Sequence, residues 1–385
     1  MTQQHSSTTP SASTDARSNT PAGTSADAPA GTSADAPADI SADASAGALP
    51  VIDLSLADGS PEDRLRLHDE LRAAATGVGF FQLVGHGVTP AETAALTAAM
   101  RAFFTLPEAD RLGVSNLNSP HYRGYTRTGD ERTGGSQDWR DQLDIGAELP
   151  PHVPGRSEPP YWWLEGPNQW PAALPELRTA ALGWIDRLGD VAKRLLHELL
   201  TAIGARPDFY DYAFDGHPHL RLKLVRYPGT APDGAGQGVG AHKDYGFITL
   251  LLQDTVGGLQ VERPDGGFLE VPPMEGAFVV NLGELLEVAT DGYLKATSHR
   301  VVSPPGARER FSVPFFYNPR LDAHIEPLDF PLAHHAPGAT QDPANPLFAE
   351  FGLNEWKGYT RAHPEVTRRH HPELAESTPA GPARS

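Results

Sequence analysis

The stretch GVGAHKDYGFITLLLQD, residues 238–254, places a histidine and an aspartate two positions apart, just before a strongly apolar run. Side chains at positions i and i+2 of a β-strand point to the same face, so a strand here aligns His242 with Asp244 and turns Lys243 away. Such a pair supplies two of the three protein ligands of a metal site. A single H-x-D match is weak by itself, because chance readily produces one in a chain with 16 histidines.

A third histidine, His299, lies later in the chain inside a second strand-like segment, ATSHRVV. Two imidazoles and one carboxylate on a common face leave coordination positions open, which suits non-haem Fe(II) oxygen chemistry. Zinc accepts the same ligands, but hydrolysis at zinc needs a nearby general base that the sequence does not obviously offer. We therefore predict an iron site formed by His242, Asp244 and His299.

Arg310 and Ser312, in the segment RFS, form another pair with the same spacing. The guanidinium of arginine binds a carboxylate through two hydrogen bonds, and a serine hydroxyl donates one more. An arginine that points into an apolar barrel is a costly buried charge unless an anion joins it. The sequence therefore predicts a small carboxylic acid beside the metal.

Composition narrows the possible partners. The 385 residues carry a formal net charge of −18 without a basic run, so we expect neither nucleic acid nor an anionic membrane as a partner. The absence of cysteine excludes disulfides, zinc-thiolate sites and thiol nucleophiles. No apolar run approaches the roughly 20 residues of a membrane span, and the first residues do not resemble a secretory signal. We therefore expect a cytoplasmic protein, and we expect it to be a monomer.

The pattern along the chain predicts one domain between two polar tails. The N-terminal tail repeats AGTSADAP in tandem and has almost nothing to bury. Helical periodicity comes first, and short strand-like runs separated by turns follow, which predicts a mainly β fold with flanking helices. His370 and His371, in the C-terminal tail, are expected to be solvated. The predicted parts are a disordered tail (1–48), one domain (49–365) with a mainly helical part (49–210), a β core (220–320) and a C-terminal helix (345–362), and a flexible tail (366–385).

Six segments carry a resemblance to a known family: PVIDLS, GFFQLVGHGV, LKLVRYPG, GAHKDYGFITLLLQDTVGGLQVE, GAFVVNLGELLEVATDGYLKATSHRVV and RERFSVPFFYNP. By their order and spacing the chain resembles the iron- and 2-oxoglutarate-dependent oxygenase superfamily, and within it the isopenicillin N synthase-like branch. The resemblance implies a double-stranded β-helix, or jelly roll, in residues 220–320. It also implies Fe(II), 2-oxoglutarate and O2 as cofactor and co-substrates. The implied reaction oxidises a small molecule, most often by hydroxylation, and releases succinate and CO2.

The same resemblance assigns roles to individual residues. Tyr227, just before Pro228, matches a tyrosine that in many members binds the distal carboxylate of 2-oxoglutarate. Val225 stands where the plant enzymes often have asparagine, which weakens detailed analogies with those enzymes. The other matching residues are His242, Asp244 and His299 as iron ligands, and Arg310 with Ser312 as the pair that binds the distal carboxylate.

Two other functions stay open from the sequence. In isopenicillin N synthase the equivalent arginine and serine bind the substrate and no 2-oxoglutarate takes part, so an iron oxidase of that type, or of the aminocyclopropane-carboxylate type, is one alternative. A non-enzymatic jelly roll that binds a ligand is the other. Loop residues and strand ends are expected to surround the substrate pocket. The candidates are Arg123, Tyr125, Arg140, Tyr245 and Phe316.

Overall fold

The computed structural model describes residues 48–229, 237–303, 306, 308–339 and 345–375. The strands are β1 (Val51–Asp53), β2 (Phe80–Val84), β3 (Gly124–Thr126), β4 (Arg132–Thr133), β5 (Ser136–Gln137), β6 (Asp141–Gly146), β7 (Arg221–Tyr227), β8 (Gln237–His242), β9 (Ile248–Gln253), β10 (Leu259–Glu262), β11 (Phe268–Glu270), β12 (Phe278–Leu282), β13 (His299–Val302) and β14 (Arg310–Tyr317). The α-helices are α1 (Pro61–Gly77), α2 (Pro90–Thr105), α3 (Glu108–Gly113), α4 (Glu176–Ala202), α5 (Asp211–Phe214), α6 (Glu284–Ala289), α7 (Phe351–Ala362), α8 (Pro364–His370) and α9 (Pro372–Ala375). Apart from residue 48, the predicted disordered tail lies outside the described residues.

Two sheets form the core. The larger sheet has the strand order β1-β2-β12-β9-β14-β7-β6-β3, and the smaller has the order β11-β10-β13-β8. Their pairings are antiparallel except for the parallel pair of β1 and β2. Val225 and Val279 of the larger sheet share one buried apolar cluster with Val239 and Val261 of the smaller. The prediction of a mainly β fold with flanking helices is confirmed.

Strand register determines which residues of the larger sheet face the smaller one. β14 lies between β9 and β7, with Ser312 opposite Gln253 on one side and Val225 on the other. Arg310 lies opposite Tyr227. Directly opposed residues point to the same face, so Arg310 and Ser312 point toward the smaller sheet with Tyr227. We call this the inner face.

Helix α4, with α1 and α2, covers the outer face of the larger sheet. Leu188, Leu195 and Leu199 recur on one side of α4 and are buried. They belong to one apolar cluster with Leu250 and Phe315, which point outward from β9 and β14. The helices therefore close the outer side of the sheet and leave its inner face for the site. None of the described helices is long and apolar enough to cross a membrane.

The inward side of α1 should be sensitive to truncation. Leu67 is fully buried, so Leu67→Ala should lower the free energy of unfolding by about 3 kcal/mol through lost apolar burial and a residual cavity. Leu65 in the same helix is 65% exposed, and Leu65→Ala should change that free energy by less than about 0.5 kcal/mol. Urea unfolding followed by circular dichroism measures both variants. Equal losses would contradict the burial of this side of α1.

The segment predicted to be mainly helical, residues 49–210, also supplies strands. β3 and β6 extend the larger sheet beyond β7. β6 lacks apolar alternation because Gln142 and Asp144 are the residues that point to the inner face, opposite Val225 and Lys223. Both are buried, and Gln142 Nε2 donates to Asp144 Oδ2 at 2.7 Å. A polar inner face hides this strand from a search for hydrophobic patterns.

The C-terminal end also differs from the prediction. The helix predicted over residues 345–362 begins at Phe351, as α7. The segment predicted as a flexible tail from residue 366 contains the rest of α8 and α9 as far as Ala375, and Val366 is buried. The remaining ten positions of that predicted tail, 376–385, lie outside the described residues.

His371 attaches this segment to the domain and is not solvated. Its side chain is fully buried, and its ring stacks on Tyr122 with 5.7 Å between the ring centres. Nε2 of His371 lies 2.8 Å from the carbonyl oxygen of Pro120, and Nε2 of the half-buried His370 lies 2.9 Å from that of Leu117. These contacts are aromatic and polar, so they leave no aliphatic periodicity in the sequence.

Acidification should weaken this attachment. Burial lowers the pKa of His371, although the hydrogen bond to Pro120 opposes the shift. A histidine with a lowered pKa in the folded state stabilises the fold above its ordinary pKa, and that contribution is lost as the pH falls below it. Between about pH 7.5 and pH 5.5 the fall in Tm should therefore be smaller for His371→Gln than for the unmodified protein.

Differential scanning calorimetry across that range measures the effect. His324→Gln is the control, since the His324 side chain is 63% exposed. The same fall in Tm for the unmodified protein and His371→Gln would contradict a role for His371 in acid sensitivity.

Candidate active site

His242, Asp244 and His299 come together where β8 and β13 meet. His242 is the last residue of β8 and His299 the first of β13, and the two residues lie opposite each other. Asp244 lies just beyond β8, so the strand alternation expected for the H-x-D pair stops at His242. One possible ligand atom from each of the three residues lies within 4.8 Å of the others. The set is compact enough for one metal ion.

Backbone carbonyls orient both imidazoles. Nδ1 of His242 lies 2.8 Å from the carbonyl oxygen of Gly240, and Nδ1 of His299 lies 3.2 Å from that of Thr297. These acceptors keep the proton on Nδ1 and leave the lone pair on Nε2. Nε2 of His242 lies 3.7 Å from Oδ1 of Asp244. Both rings are thereby held in the tautomer that binds metal through Nε2.

Two side chains of the larger sheet hold the Asp244 carboxylate. Thr249 Oγ1 donates to Oδ2 at 2.6 Å, and Asn281 Nδ2 donates to the same oxygen at 2.8 Å. Thr249 and Asn281 lie opposite each other on β9 and β12. One cross-strand pair therefore fixes one carboxylate oxygen and leaves Oδ1 for a metal.

The protonation states are those of a metal site. Burial by itself raises the pKa of Asp244, but His299, His242 and the two hydrogen bonds outweigh it, so the pKa of Asp244 is lowered. Burial lowers the pKa of His299 to about 4, and the neighbouring His242 adds to the shift. At neutral pH the Asp244 carboxylate is ionised and the His299 imidazole is neutral, and these are the forms that bind a metal ion.

The hydrogen bond from Thr249 should strengthen metal binding. Thr249→Val keeps the shape of the side chain but removes the donor to Asp244, so the affinity for Fe(II) should fall by about tenfold or more. Thr249→Ser keeps the hydroxyl and should stay close to the unmodified protein. Anaerobic Fe(II) titration against a competing chelator measures both. Equal affinities for the two variants would contradict this role of the hydroxyl.

Arg310 is a fully buried cation on the inner face. None of its three guanidinium nitrogens has a hydrogen-bond partner among the described residues. Its guanidinium carbon lies 4.7 Å from the centre of the Tyr227 ring. Gln253, opposite Ser312, likewise has no partner within the described chain for its amide oxygen or nitrogen. Buried polar groups without partners are costly, so this part of the inner face has the chemistry of an anion site.

Comparisons with known proteins agree with this chemistry. The N-terminal model of the non-haem dioxygenases of morphine synthesis matches residues 49–173, and the 2OG-Fe(II) oxygenase superfamily model matches residues 217–319. The 2-oxoglutarate-dependent dioxygenase frbJ of Dothideomycetidae sp. (strain 11243) is 36% identical over 292 residues, 74% of this chain and 78% of that protein. The chain belongs to the 2OG-Fe(II) oxygenase superfamily.

Other relatives of this oxygenase extend the comparison. The homoarginine-6-hydroxylase 2-ODD-233 of Oryza sativa subsp. japonica is 31% identical over 296 residues, 74% of this chain and 89% of that protein. A full-length Neurospora crassa protein, crystallised in complex with alpha-KG and 5-formyluracil, has a TM-score of 0.65 at 26% identity, and the match covers 84% of this chain and 97% of that one. JOX2 in complex with 2OG, Fe and JA has a TM-score of 0.62 at 27% identity, covering 83% of this chain and 88% of its own.

Several predictions from the sequence are thereby confirmed. The chain is an Fe(II)- and 2-oxoglutarate-dependent oxygenase of a small molecule, built on a jelly-roll core. Fe(II), 2-oxoglutarate and O2 are its cofactor and co-substrates. The alternatives of an oxidase independent of 2-oxoglutarate and of a non-enzymatic jelly roll are set aside, because the relatives are named as 2-oxoglutarate-dependent dioxygenases.

Tyr125 was expected at the substrate pocket of the oxygenase, and this expectation is wrong. On β3 it lies opposite Leu143 of β6, and both point to the outer face, away from the metal set. The Tyr125 hydroxyl donates to Asp141 Oδ2 at 3.0 Å, and its ring packs edge-on against Phe103 of α2. The sequence around Tyr125 did not reveal a strand, so the direction of its side chain could not be read from alternation.

The remaining candidates lie closer to the inner face. Phe316 lies on it, opposite Thr249 of β9. Tyr245, next to Asp244, is half-buried against α7, where Nζ of Lys357 lies 5.6 Å from the centre of its ring. The two arginines are held by the protein itself. Arg140 Nη2 lies 2.8 Å from Glu131 Oε2, and Arg123 Nη2 donates to the Leu164 carbonyl oxygen at 3.0 Å.

A group of buried charges beside the site was not anticipated from the sequence. Lys223 Nζ donates to Glu131 at 3.1 Å, and Arg221 Nη2 donates to Asp144 at 2.6 Å. Arg221 Nη1 also lies 3.7 Å from Glu355 of α7. One signal was present: Arg221, Lys223 and Tyr227 lie at alternate positions of β7, so their side chains point to the same face. Thr249, Gln253 and Asn281 were also missed. Thr249 and Gln253 lie at alternate positions of β9 with Leu251, so strand alternation places those two on one face.

Proposed function

We propose that this oxygenase hydroxylates a small molecule at an Fe(II) ion bound by His242, Asp244 and His299. Support comes from the compact donor set, the backbone acceptors that reserve Nε2, and the ionised carboxylate. Bound Fe(II) supplies O2 activation coupled to decarboxylation of 2-oxoglutarate to succinate and CO2. The side chains contribute fixed placement, because each donor is already held by a neighbour before the metal binds.

The observation that carries the proposal is the unpartnered Arg310 guanidinium. It is fully buried on the inner face, where an uncompensated charge costs several kcal/mol unless an anion binds. We propose that Arg310 and Ser312 bind the distal carboxylate of 2-oxoglutarate. Tyr227 packs its ring against the guanidinium and restricts the direction of its N–H groups. Gln253 offers one more amide donor to the same carboxylate.

Apolar side chains next to the donor set favour exclusion of water. The Phe80 ring meets the His299 ring edge-on, with 5.2 Å between the centres. Leu251 and Val279 lie opposite each other on β9 and β12 and point to the inner face. Exclusion of water around a reactive centre suppresses side reactions. Hydroxylation is the favoured outcome because the rice relative is named as a hydroxylase.

We also propose that residues 49–365, extended by the helices to Ala375, work as a single-domain monomer in the cytoplasm without a nucleic-acid or membrane partner. The formal net charge of −18 argues against a nucleic-acid or membrane partner, because it repels phosphate groups. Size-exclusion chromatography with light scattering measures the oligomeric state. A stable dimer at micromolar concentration would contradict the monomer.

Loss of the Arg310 charge should weaken 2-oxoglutarate specifically. With Fe(II) and 2-oxoglutarate under anaerobic conditions, we expect a weak visible charge-transfer band from the chelated metal. In Arg310→Gln the concentration of 2-oxoglutarate that gives half of this band should rise about ten- to a hundredfold, because a charged hydrogen bond to a carboxylate is lost. In His242→Ala the band should disappear.

Arg263→Gln is the matched control, since its side chain is 48% exposed in a surface pair with Asp265. It should bind 2-oxoglutarate like the unmodified protein. A folded, iron-loaded protein without the band, or an Arg310→Gln variant with unchanged 2-oxoglutarate dependence, would sink the assignment.

A further inference from the structure

Two buried arginines stand beside the proposed iron site on the inner face. Arg221 of β7 lies opposite Phe316 of β14 on one side and opposite Gly146 of β6 on the other. The Arg123 guanidinium covers Gly146 and fills the space that a side chain there would take. Gly146 is thus required for the close approach of Arg123. We call Arg123 and Arg221 the arginine pair.

Arg123 has unused hydrogen-bonding capacity. It is 2% exposed, and only its Nη2 has a partner, the Leu164 carbonyl oxygen. Its Nε and Nη1 have no hydrogen-bond partner in the part of the chain that the structure describes. Burial, together with the like charge of Arg221, lowers the pKa of Arg123 to about 9, and Asp144 and Glu355 oppose this only in part. The protein does not compensate this charge fully.

Arg221 and Glu355 are also incompletely paired. Arg221 Nη2 is bound to Asp144, but its Nε has no partner among the described residues. The Glu355 carboxylate lies 3.4 Å from Asn318 Nδ2 and 3.7 Å from Arg221 Nη1, both long for a hydrogen bond. Burial raises the pKa of Glu355. Donors without a hydrogen-bond partner therefore lie beside a carboxylate whose own contacts are long.

This group lies within reach of a molecule at the metal. Thr249, which holds Asp244, is opposite Phe316, and Phe316 is opposite Arg221. Neighbouring strands are about 4.8 Å apart, so the Arg221 backbone is about 10 Å from that of Thr249. Glu355 is close enough to Asp244 for the two carboxylates to interact electrostatically. A small molecule held here would extend toward the iron ligands.

We propose that the arginine pair and Glu355 bind the head group of a zwitterionic substrate of the amino-acid class, with its carboxylate on Arg123 and Arg221 and its ammonium on Glu355. The inference rests on the proposed function, since it places the substrate beside the iron ligands. A carboxylate alone would meet the like charge of Glu355, and an amine alone would leave the arginine donors unpartnered. A molecule that carries both groups on the same carbon atom satisfies both.

Three matched series of compounds test the head group. Each contains an amino acid, the same molecule without its amino group, and the same molecule without its carboxylate. The series are L-arginine, guanidinovalerate and agmatine; L-leucine, isocaproate and isoamylamine; and L-phenylalanine, phenylpropionate and phenethylamine. Succinate release is measured with the Fe(II)-loaded full chain, 2-oxoglutarate and O2. In at least one series the amino acid should stimulate succinate release with kcat/KM about tenfold or more above both truncated compounds.

Two variants separate substrate binding from a structural role. Arg123→Met removes an incompletely compensated charge, so it should abolish the stimulation while Tm without amino acid stays equal or rises. Glu355→Gln keeps the size of the side chain and should bring the amino acid and its des-amino compound to within about threefold of each other. Arg206→Gln, whose side chain is 72% exposed, is the control and should behave like the unmodified protein.

The anaerobic charge-transfer band distinguishes failure of this inference from failure of the proposed function. If the band is absent from the unmodified protein, the proposed function itself is at fault. If the band is present, the inference is overturned when no amino acid acts or when the des-amino compound matches the amino acid in all three series. It is also overturned if Arg123→Met loses both the band and its thermal stability, because Arg123 then serves the fold.

Discussion

The cross-strand register of β9, β14 and β7 is the constraint on which the rest of the site depends. Through it Thr249, which holds the metal ligand Asp244, lies opposite Phe316, and Phe316 lies opposite Arg221. The three side chains therefore form one row across the sheet. Arg310 and Ser312 lie at even-numbered positions of β14, like Phe316, and therefore point to the same face. A slip of one residue would turn every one of these side chains to the apolar outer face, so burial of that face enforces the register.

The charged side chains of the inner face are of two kinds, those paired with an opposite charge and one without such a partner. Lys223 with Glu131 and Arg221 with Asp144 are paired at hydrogen-bonding distance. Arg310 has no hydrogen-bond partner within the described chain. A paired buried charge roughly balances its desolvation cost, whereas an unpaired one leaves the folded state less stable until an anion binds. Binding of an anion to such a residue raises the free energy of unfolding of the protein. The unpaired charge therefore indicates the position of the anion site.

The sequence was sufficient for the cofactor side of the site because most of the cofactor residues lie on strands with regular alternation. The spacing of the H-x-D pair, the later His299 and the Arg310–Ser312 pair are all local patterns, and the resemblance to the oxygenases joined them. Alternation failed at Asp244, which lies past the end of β8. It also failed at β6, whose inner residues are polar: Gln142 donates to Asp144 in the same strand, and Asp144 accepts a hydrogen bond from Arg221, which is distant in the chain. Contacts between distant polar residues have no periodic signature.

The proposed substrate side depends on the C-terminal segment, which combines helix α7 with His371 of the stretch predicted as a flexible tail. Tyr122 has a φ of 58°, a left-handed conformation that costs a non-glycine residue about 1–2 kcal/mol. Its ring is enclosed by Trp356 and Tyr359 of α7 and stacks on His371.

These contacts hold the strained backbone in place, and the strained backbone sets the direction in which the next residue, Arg123, enters the inner face. Helix α7 also carries Glu355. The cofactor residues come from β7, β8, β9, β13, β14 and the short segment after β8, whereas the proposed head-group site combines β7, the segment before β3, and α7. Because the two sets overlap only at β7, changes in α7 and before β3 can alter substrate recognition while the iron ligands and the keto-acid site stay as they are.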